Sequence, residues 1–183
     1  MNEQVERDVM EYDVLIIGGG PSGLSSAIKV KQLASAEGKD VSVCVLEKGS
    51  EIGAHILSGN VFEPTALNEL IPDWKEKEAP LNSPATKDIV KFMISGNSSI
   101  NIPFPSFLIP TFNNHGNYVM SLANFTRWLA SQAESLGVEI FPGFTAAEVI
   151  FEENIVKGVL TGEMGISKDG EKKPSYQPSM ELR

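Results

Sequence analysis

An α/β fold built on a parallel sheet is predicted by three features at the start of this chain. An apolar run, Val14-Leu15-Ile16-Ile17, leads directly into Gly18-Gly19-Gly20-Pro21-Ser22-Gly23. A helix-like stretch follows the glycines. A second apolar run, Val41-Ser42-Val43-Cys44-Val45-Leu46, then ends on Glu47. Strand, glycine turn, helix, strand and acid, in that order, make a βαβ unit of the dinucleotide-binding kind. A lone G-x-G-x-x-G is common by chance, so the flanking strands and the terminal acid carry the inference.

Each residue type in the turn has a physical task. Gly18 allows the chain to turn sharply out of the strand, and Gly20, with no Cβ, lets a pyrophosphate approach the backbone. Gly23 lets the helix pack closely on the sheet. The unpaired N–H groups and positive dipole end of the first helical turn suit an anion. Pro21 costs little there, because the N–H it lacks would have no helical partner. Glu47 is placed to accept hydrogen bonds from a ribose hydroxyl. The structural alternative is a glycine-rich turn that holds no ligand.

The first strand is read as residues 12–17. In the helix after it, Leu24, Ala27 and Ile28, then Val30, Leu33 and Ala34, recur at helical spacing, and Gly38 helps to end it. The second strand covers residues 41–46. Both strands are almost continuously apolar, as in a parallel sheet covered on both faces. Between residues 61 and 110 lie Pro64, Pro72, Pro80, Pro84, Pro103, Pro105 and Pro110, which rule out a plain crossover helix. This stretch is read as an insertion shaping a ligand or substrate site. A short helix is expected at residues 65–70, and a hairpin from residues 89–94 and 99–102 through Gly96-Asn97.

Leu122, Phe125, Leu129, Ala133 and Leu136 follow helical spacing, with Ser121 or the preceding turn as a start cap and Gly137 as an end cap. Val138-Glu139-Ile140-Phe141 reads as the third parallel strand. Residues 145–151 and 155–161 read as two strands of a β-meander joined at Glu153-Asn154. The order βαβ, insertion, helix, strand, meander suits a domain that binds FAD better than a plain NAD domain. The expected divisions are a polar tail at 1–11, the βαβ unit at 12–60, the proline-rich insertion at 61–120, the helix, third strand and meander at 121–165, and a polar tail at 166–183.

Composition narrows the functional classes. The chain has 183 residues and a formal net charge of −9. That charge argues against nucleic acid, whose phosphates need clustered Lys and Arg. The single cysteine, Cys44, sits inside an apolar strand and reads as a small core residue. One cysteine permits neither an internal disulfide nor a four-cysteine cluster site, and fits a reducing compartment. Residues 1–11 resemble neither a secretory signal nor an Arg-rich transit peptide. No stretch approaches the ~20 apolar residues that span a bilayer.

Several further segments carry a resemblance. Ile52-Gly53-Ala54-His55-Ile56-Leu57-Ser58-Gly59, Pro72-Asp73-Trp74-Lys75, Asn113-Asn114-His115-Gly116-Asn117-Tyr118 and Gly137-Val138-Glu139-Ile140-Phe141-Pro142-Gly143-Phe144, with Ala146-Ala147-Glu148-Val149 after it, are similar to the electron transfer flavoprotein–ubiquinone oxidoreductase family. The likeness covers nearly the whole chain. It implies an FAD enzyme that takes electrons from reduced electron transfer flavoprotein and reduces ubiquinone. It also implies a [4Fe–4S] cluster, whose ligands this chain does not contain, and attachment to a membrane surface without spanning it. Whole chains of the family are roughly three times as long, in line with several domains. The expectation is an N-terminal piece of such a protein, inactive in isolation. It is expected at the cytoplasmic face of a bacterial inner membrane, or at the mitochondrial inner membrane if eukaryotic.

By the resemblance, Gly18, Gly20 and Gly23 face the FAD pyrophosphate with Ser22 near a phosphate, Gly19 and Pro21 belong to the same cofactor-binding turn, Glu47 holds the adenosine ribose and Lys48 lies beside it. Gly53 and Ala54 pass the flavin side, and Val149 offers backbone contact to the adenine. His55 is a candidate to give a proton or hydrogen bond near the flavin; its alternative is a solvated loop histidine. His115, in a Gly/Asn-rich turn, is read as structural. The apolar stretch Pro103-Phe104-Pro105-Ser106-Phe107-Leu108-Ile109-Pro110 is expected at an interface, with either quinone and lipid or another domain. Two other readings stay open: a flavoenzyme of the hydroxylase or isoprenoid-lipid reductase type, and a non-catalytic nucleotide-binding fragment. In the former group an Arg often stands early in the helix before the third strand. Here that place has Ser121, with Arg127 further on.

Overall fold

In a computed structural model the described residues are 7–102 and 113–183, so the stretch 103–110 singled out above lies outside them. In chain order the elements are β1 (Val9–Met10), β2 (Val14–Ile17), α1 (Pro21–Ala36), β3 (Val43–Glu47), β4 (Asn60–Phe62), α2 (Thr65–Leu70), β5 (Ser83–Pro84), β6 (Val90–Ser95) and β7 (Ser98–Ile102). They continue with β8 (Tyr118–Met120), α3 (Leu122–Ser135), β9 (Val138–Pro142), β10 (Ala146–Glu152), β11 (Ile155–Thr161), β12 (Met164–Ile166), β13 (Lys172–Gln177) and β14 (Glu181–Leu182). The chain divides into two compact units, residues 57–125 forming one and the segments on either side forming the other. α3 begins in the first of these and ends in the second.

The flanking segments build the parallel sheet. Its order is β2-β3-β9, with Val14 opposite Val43 and Val43 opposite Val138. Central β3 is the apolar run that the sequence marks, and its Val43, Cys44, Val45 and Leu46 are all buried. Strand alternation sends Cys44 and Leu46 to one face and Val43 and Val45 to the other. Cys44 and Leu46 pack with Val159 and Leu182, flanked by Tyr12, Leu15, Phe141, Phe144 and Ala146. α1 packs on β3, burying Leu24, Ala27, Ile28 and Ala34. Burial from both sides explains why β3 carries no polar alternation.

β2 differs from the expectation in part. It starts at Val14 rather than residue 12, lies at the edge of the sheet, and leaves Ile17 54% exposed. Asp13 begins it through a side-chain clamp: its carboxylate accepts the Ser42 N–H at 2.8 Å and the Ser42 O–H at 2.7 Å. These hydrogen bonds hold the Asp13 carboxyl below the usual aspartate range.

A second sheet, ordered β1-β14-β11-β10, mixes parallel and antiparallel pairs. The hairpin β10–β11 turns where the sequence places it, with Glu153 and Asn154 both at positive φ (49° and 64°). Two consecutive left-handed residues match the twist of a tight hairpin turn. The two ends expected as polar tails carry strands instead. Val9 pairs with Glu181 and Met10 with Leu182, and Leu182 is fully buried. Residues 172–177 pair with 164–166, and Lys172 Nζ stands 3.8 Å from the Tyr176 ring centroid. Backbone pairing and a cation–ring contact hold a strand there that has no apolar alternation to betray it.

The unit Leu57–Phe125 is small and differently made. β8 pairs antiparallel with β4 on one side and β5 on the other. Its core holds Leu67, Ile71, Trp74, Ala79, Leu81, Met120 and Phe125. Trp74 donates its indole N–H to Asn68 Oδ1 at 2.7 Å and meets Tyr118 edge-on at 5.8 Å. α2 spans the residues expected, with Pro64 as its N-cap and Pro72 following its C-cap Ile71. The expected hairpin is β6–β7, with Phe92 opposite Ile100.

Candidate functional site

The site grows from the C-terminal end of β2. Gly18 donates its N–H to Leu46 O at 2.7 Å and takes φ +107°, which a side chain would resist. The chain then turns through Gly19 and Gly20 into α1. Gly20 is the N-cap in extended conformation, offers no side-chain cap, and is followed by Pro21 in the first turn. No acidic residue stands in that turn, so no carboxylate of the helix itself offsets its positive end. Helix amides without a capping side chain form an anion site.

The glycines differ in what surrounds them. A Cβ on Gly23 would run into the Gly18 carbonyl oxygen, which is backbone and cannot yield. A Cβ on Gly19 would run into Ile52 Cδ1 and come within 3.1 Å of Glu47 Cβ. Gly23 therefore sets the closeness of helix and turn, and Gly19 the closeness of the turn to the loop after β3. Among the described residues, a Cβ at Gly18 or Gly20 would meet nothing within 4 Å. The turn thus presents its bare backbone outward at these two positions, a cradle that added side chains would fill.

Glu47 ends β3 and ties the site together. Its Oε2 accepts the Gly19 N–H at 2.9 Å and its Oε1 the Gly49 N–H at 2.6 Å. A carboxylate has about four acceptor positions, so two remain for hydroxyl donors. Next to it is a cleft of about 230 Å³ lined by Ile17, Gly18, Leu46, Glu47, Lys48, Phe144, Thr145 and Ala146. The cleft lies at the carboxyl ends of the parallel strands, where ligands of open α/β sheets bind. Glycine turn, carboxylate and cleft offer an anion site, acceptors for hydroxyl groups and a partly apolar wall.

The other expected residues fall in three places. Gly53, at φ +83°, and Ala54 lie in the turn after β3, with the Ala54 N–H donated to Glu51 O at 3.3 Å. His55 is exposed and approaches this region: a Cβ on Gly49 would lie 3.0 Å from Glu47 Oε1 and 3.5 Å from His55 Nδ1. Val149 pairs with Val159 on β10, half-exposed, and the cleft lining passes instead through Phe144, Thr145 and Ala146. The sequence holds a signal for those three. Pro142-Gly143 ends β9, so the residues after it stand at the ligand edge of the sheet.

His115 is exposed, in a turn held by its neighbours. Asp88 accepts the Asn114 N–H at 3.0 Å and its side-chain amide at 2.7 Å, which lowers the Asp88 pKa. Asn117 donates its N–H to Asn114 O at 3.0 Å. Cys44 is buried, and burial, then the nearby Glu139 charge, push its thiol up to about 12, far from the nucleophilic range. Among the described residues no group of three or more His, Cys, Asp or Glu could hold a metal ion, and none of their helices is long and apolar enough to cross a membrane.

Comparison with known proteins agrees with this geometry. Residues 16–72 match the NAD(P)-binding Rossmann-like domain family. The fold is similar to a geranylgeranyl bacteriochlorophyll reductase-like protein from Thermoplasma acidophilum, with TM-score 0.60 and 20% identity over 96% of this chain and 38% of that one. A flavin-dependent brominase superposes with TM-score 0.58 and 18% identity over 95% of this chain and 36% of its own. The fold and site define a Rossmann-like nucleotide-binding domain.

The sequence relatives are more specific. The chain is 55% identical to the electron transfer flavoprotein–ubiquinone oxidoreductase of Pseudomonas aeruginosa over 98% of its own length and 33% of that protein's. It is 52% identical to the mitochondrial protein of that name from Oryza sativa, covering 97% of this chain and 30% of the relative. For the Mus musculus mitochondrial protein the figures are 49%, 97% and 29%. The chain spans about a third of the length of these relatives, and over that third it is similar to the electron transfer flavoprotein–ubiquinone oxidoreductases.

Proposed function

We propose that this chain holds the diphosphate and adenosine of FAD in an oxidoreductase that passes electrons from reduced electron transfer flavoprotein to ubiquinone. The observation that carries the reading is the outward-facing backbone of Gly18 and Gly20 before the uncapped start of α1, beside a cleft that Glu47 borders. The names of the relatives support the electron donor and acceptor.

The chain's residues bind and orient. The amides at the start of α1 receive the diphosphate, Glu47 takes ribose hydroxyls on its remaining lone pairs, and Lys48 places a cation at the cleft wall. Phe144 and Ala146 supply apolar surface for a base. Bound FAD supplies the electron-transfer chemistry, which belongs to the cofactor. A [4Fe–4S] cluster does not fit this chain, whose one cysteine is buried in β3.

Membrane contact is part of the proposal. In β6–β7, Phe92, Met93 and Ile94 are each about 60% exposed, and Ile100 is 54% exposed. Such a patch suits insertion into the acyl boundary of a bilayer. The location proposed with it is the cytoplasmic face of a bacterial inner membrane or the mitochondrial inner membrane in a eukaryote, the latter supported by the mitochondrial names of the eukaryotic relatives. Co-flotation of the full-length protein with phospholipid vesicles supports this contact, and a protein left at the bottom of the gradient contradicts it.

Gly20→Val tests the cofactor reading. The full-length protein should purify with flavin absorbance and should oxidise reduced electron transfer flavoprotein when given a ubiquinone. The variant should retain helix and sheet by circular dichroism but load no flavin. Normal flavin loading by Gly20→Val would refute the close approach of the diphosphate.

A further inference from the structure

We infer that Glu51 and Arg127 form a positioning clamp that holds the turn after β3 against the glycine turn. The inference rests on reading this site as the FAD site. Arg127 Nη2 donates to Glu51 Oε1 at 3.1 Å. The two partners belong to very different pieces of chain. Arg127 projects from α3 directly after Thr126, and Thr126, Leu129, Ala130 and Ala133 are all buried and fix that part of the helix. Glu51 lies between Gly49 and Gly53, in a stretch whose backbone has few intrinsic restraints. The clamp thus fastens a pliable segment to a rigid one.

Position along the chain gives the clamp its effect. Gly49 is already fastened, because its N–H is bonded to Glu47 and its carbonyl accepts the Gly143 N–H at 2.7 Å. Glu51 opens the next turn, its carbonyl accepting from Ala54. Ile52, one residue on, is the side chain that fills the space beside Gly19. Holding Glu51 therefore holds Ile52 in register with the diphosphate-binding turn, and sets where Gly53 and Ala54 run. Arg127 also offsets a charge. Glu47 and Glu51 are both carboxylates on this stretch, and without its ion pair to Arg127 the Glu51 charge would repel an anionic cofactor more strongly.

This second effect makes the two single substitutions unequal. Arg127→Gln removes the tether and leaves the Glu51 charge. Glu51→Gln removes the tether and the charge together. Both side chains are substantially exposed, so the coupling is modest. In the full-length protein, stripped of FAD and titrated with it by flavin fluorescence at low salt, Arg127→Gln should raise the FAD dissociation constant by about three- to five-fold, and Glu51→Gln by about two-fold or less. The exchanged pair Glu51→Arg with Arg127→Glu should recover most of the loss. The differences should shrink at high salt, while the unfolding midpoint of the FAD-stripped protein stays the same. Wild-type affinity in both single variants would overturn the clamp while leaving the cofactor reading intact, as would an exchanged pair no better than Arg127→Gln. A wild-type protein that takes up no FAD would overturn the cofactor reading and the clamp with it.

Discussion

Two apolar strand segments of this chain meet opposite fates. Val43-Cys44-Val45-Leu46 in β3 is buried to within 1%. Phe92-Met93-Ile94 in β6 is about 60% exposed. Their hydrophobicity is similar, so what separates them is the company each keeps. β3 has a parallel neighbour on both edges, α1 on one face and the sheet containing β11 and β14 on the other. Among the described residues β6 pairs with β7 alone, and a two-stranded ribbon has no second layer of its own. An apolar run therefore marks burial somewhere, either in the chain's own core or against something outside it. In β3 that burial supports the edge proposed to bind the cofactor; in β6–β7 the apolar surface is left for another surface.

Truncation would sharpen this contrast most. Leu46→Ala should destabilise the full-length protein by about 2–5 kcal/mol in chemical denaturation, because it opens a cavity in the packed sheet. Ile94→Ala in the hairpin should cost no more than about 0.5 kcal/mol. Equal losses would break the comparison and show the hairpin to be covered. Next in size is Glu47→Gln, which keeps the shape of the side chain but loses the charge that strengthens its hydrogen bonds. It should cost about 1.5–3 kcal/mol of FAD binding, read by titration calorimetry. Unchanged affinity would remove Glu47 from the site.

In the second unit the backbone itself offers a test. Glu78 stands at φ +54°, where a glycine carries no steric penalty. Glu78→Gly should stabilise that unit by about 0.5–1 kcal/mol or be neutral, measured by thermal unfolding. A marked loss would mean that the carboxylate has a task the contacts do not reveal. The smallest effect concerns Asp88. Its folded pKa lies below its unfolded one, so its contribution is present above the usual aspartate range and is lost as pH falls through the folded value. The stability advantage of wild type over Asp88→Asn should therefore shrink on acidification. A constant difference across that range would contradict the Asn114 hydrogen bonds as its cause.

The sequence was most informative where the determinants are local. Helical spacing located α1 and α3, prolines bracketed α2, and Glu153-Asn154 marked the β10–β11 turn. The glycine turn and Glu47 were legible because the geometry they serve tolerates few substitutes. The pairings β1–β14 and β12–β13 were not legible. They join short or polar segments, in the first case from opposite ends of the chain, and Lys172–Gln177 has no alternation of apolar and polar residues. Within the site, Ile52 against Gly19, the clamp between Glu51 and Arg127, and the cleft wall at Phe144–Ala146 depend on segments distant in sequence meeting in space. Local patterns carry no record of such meetings.

The central claim is that the backbone between β2 and α1 receives the diphosphate of FAD. A crystal structure of the full-length protein with FAD tests it most directly. The account predicts the diphosphate against the amides following Gly20, with Glu47 on the adenosine ribose. FAD seated elsewhere, with this turn facing solvent and Glu47 bonded only to Gly19 and Gly49, would contradict it.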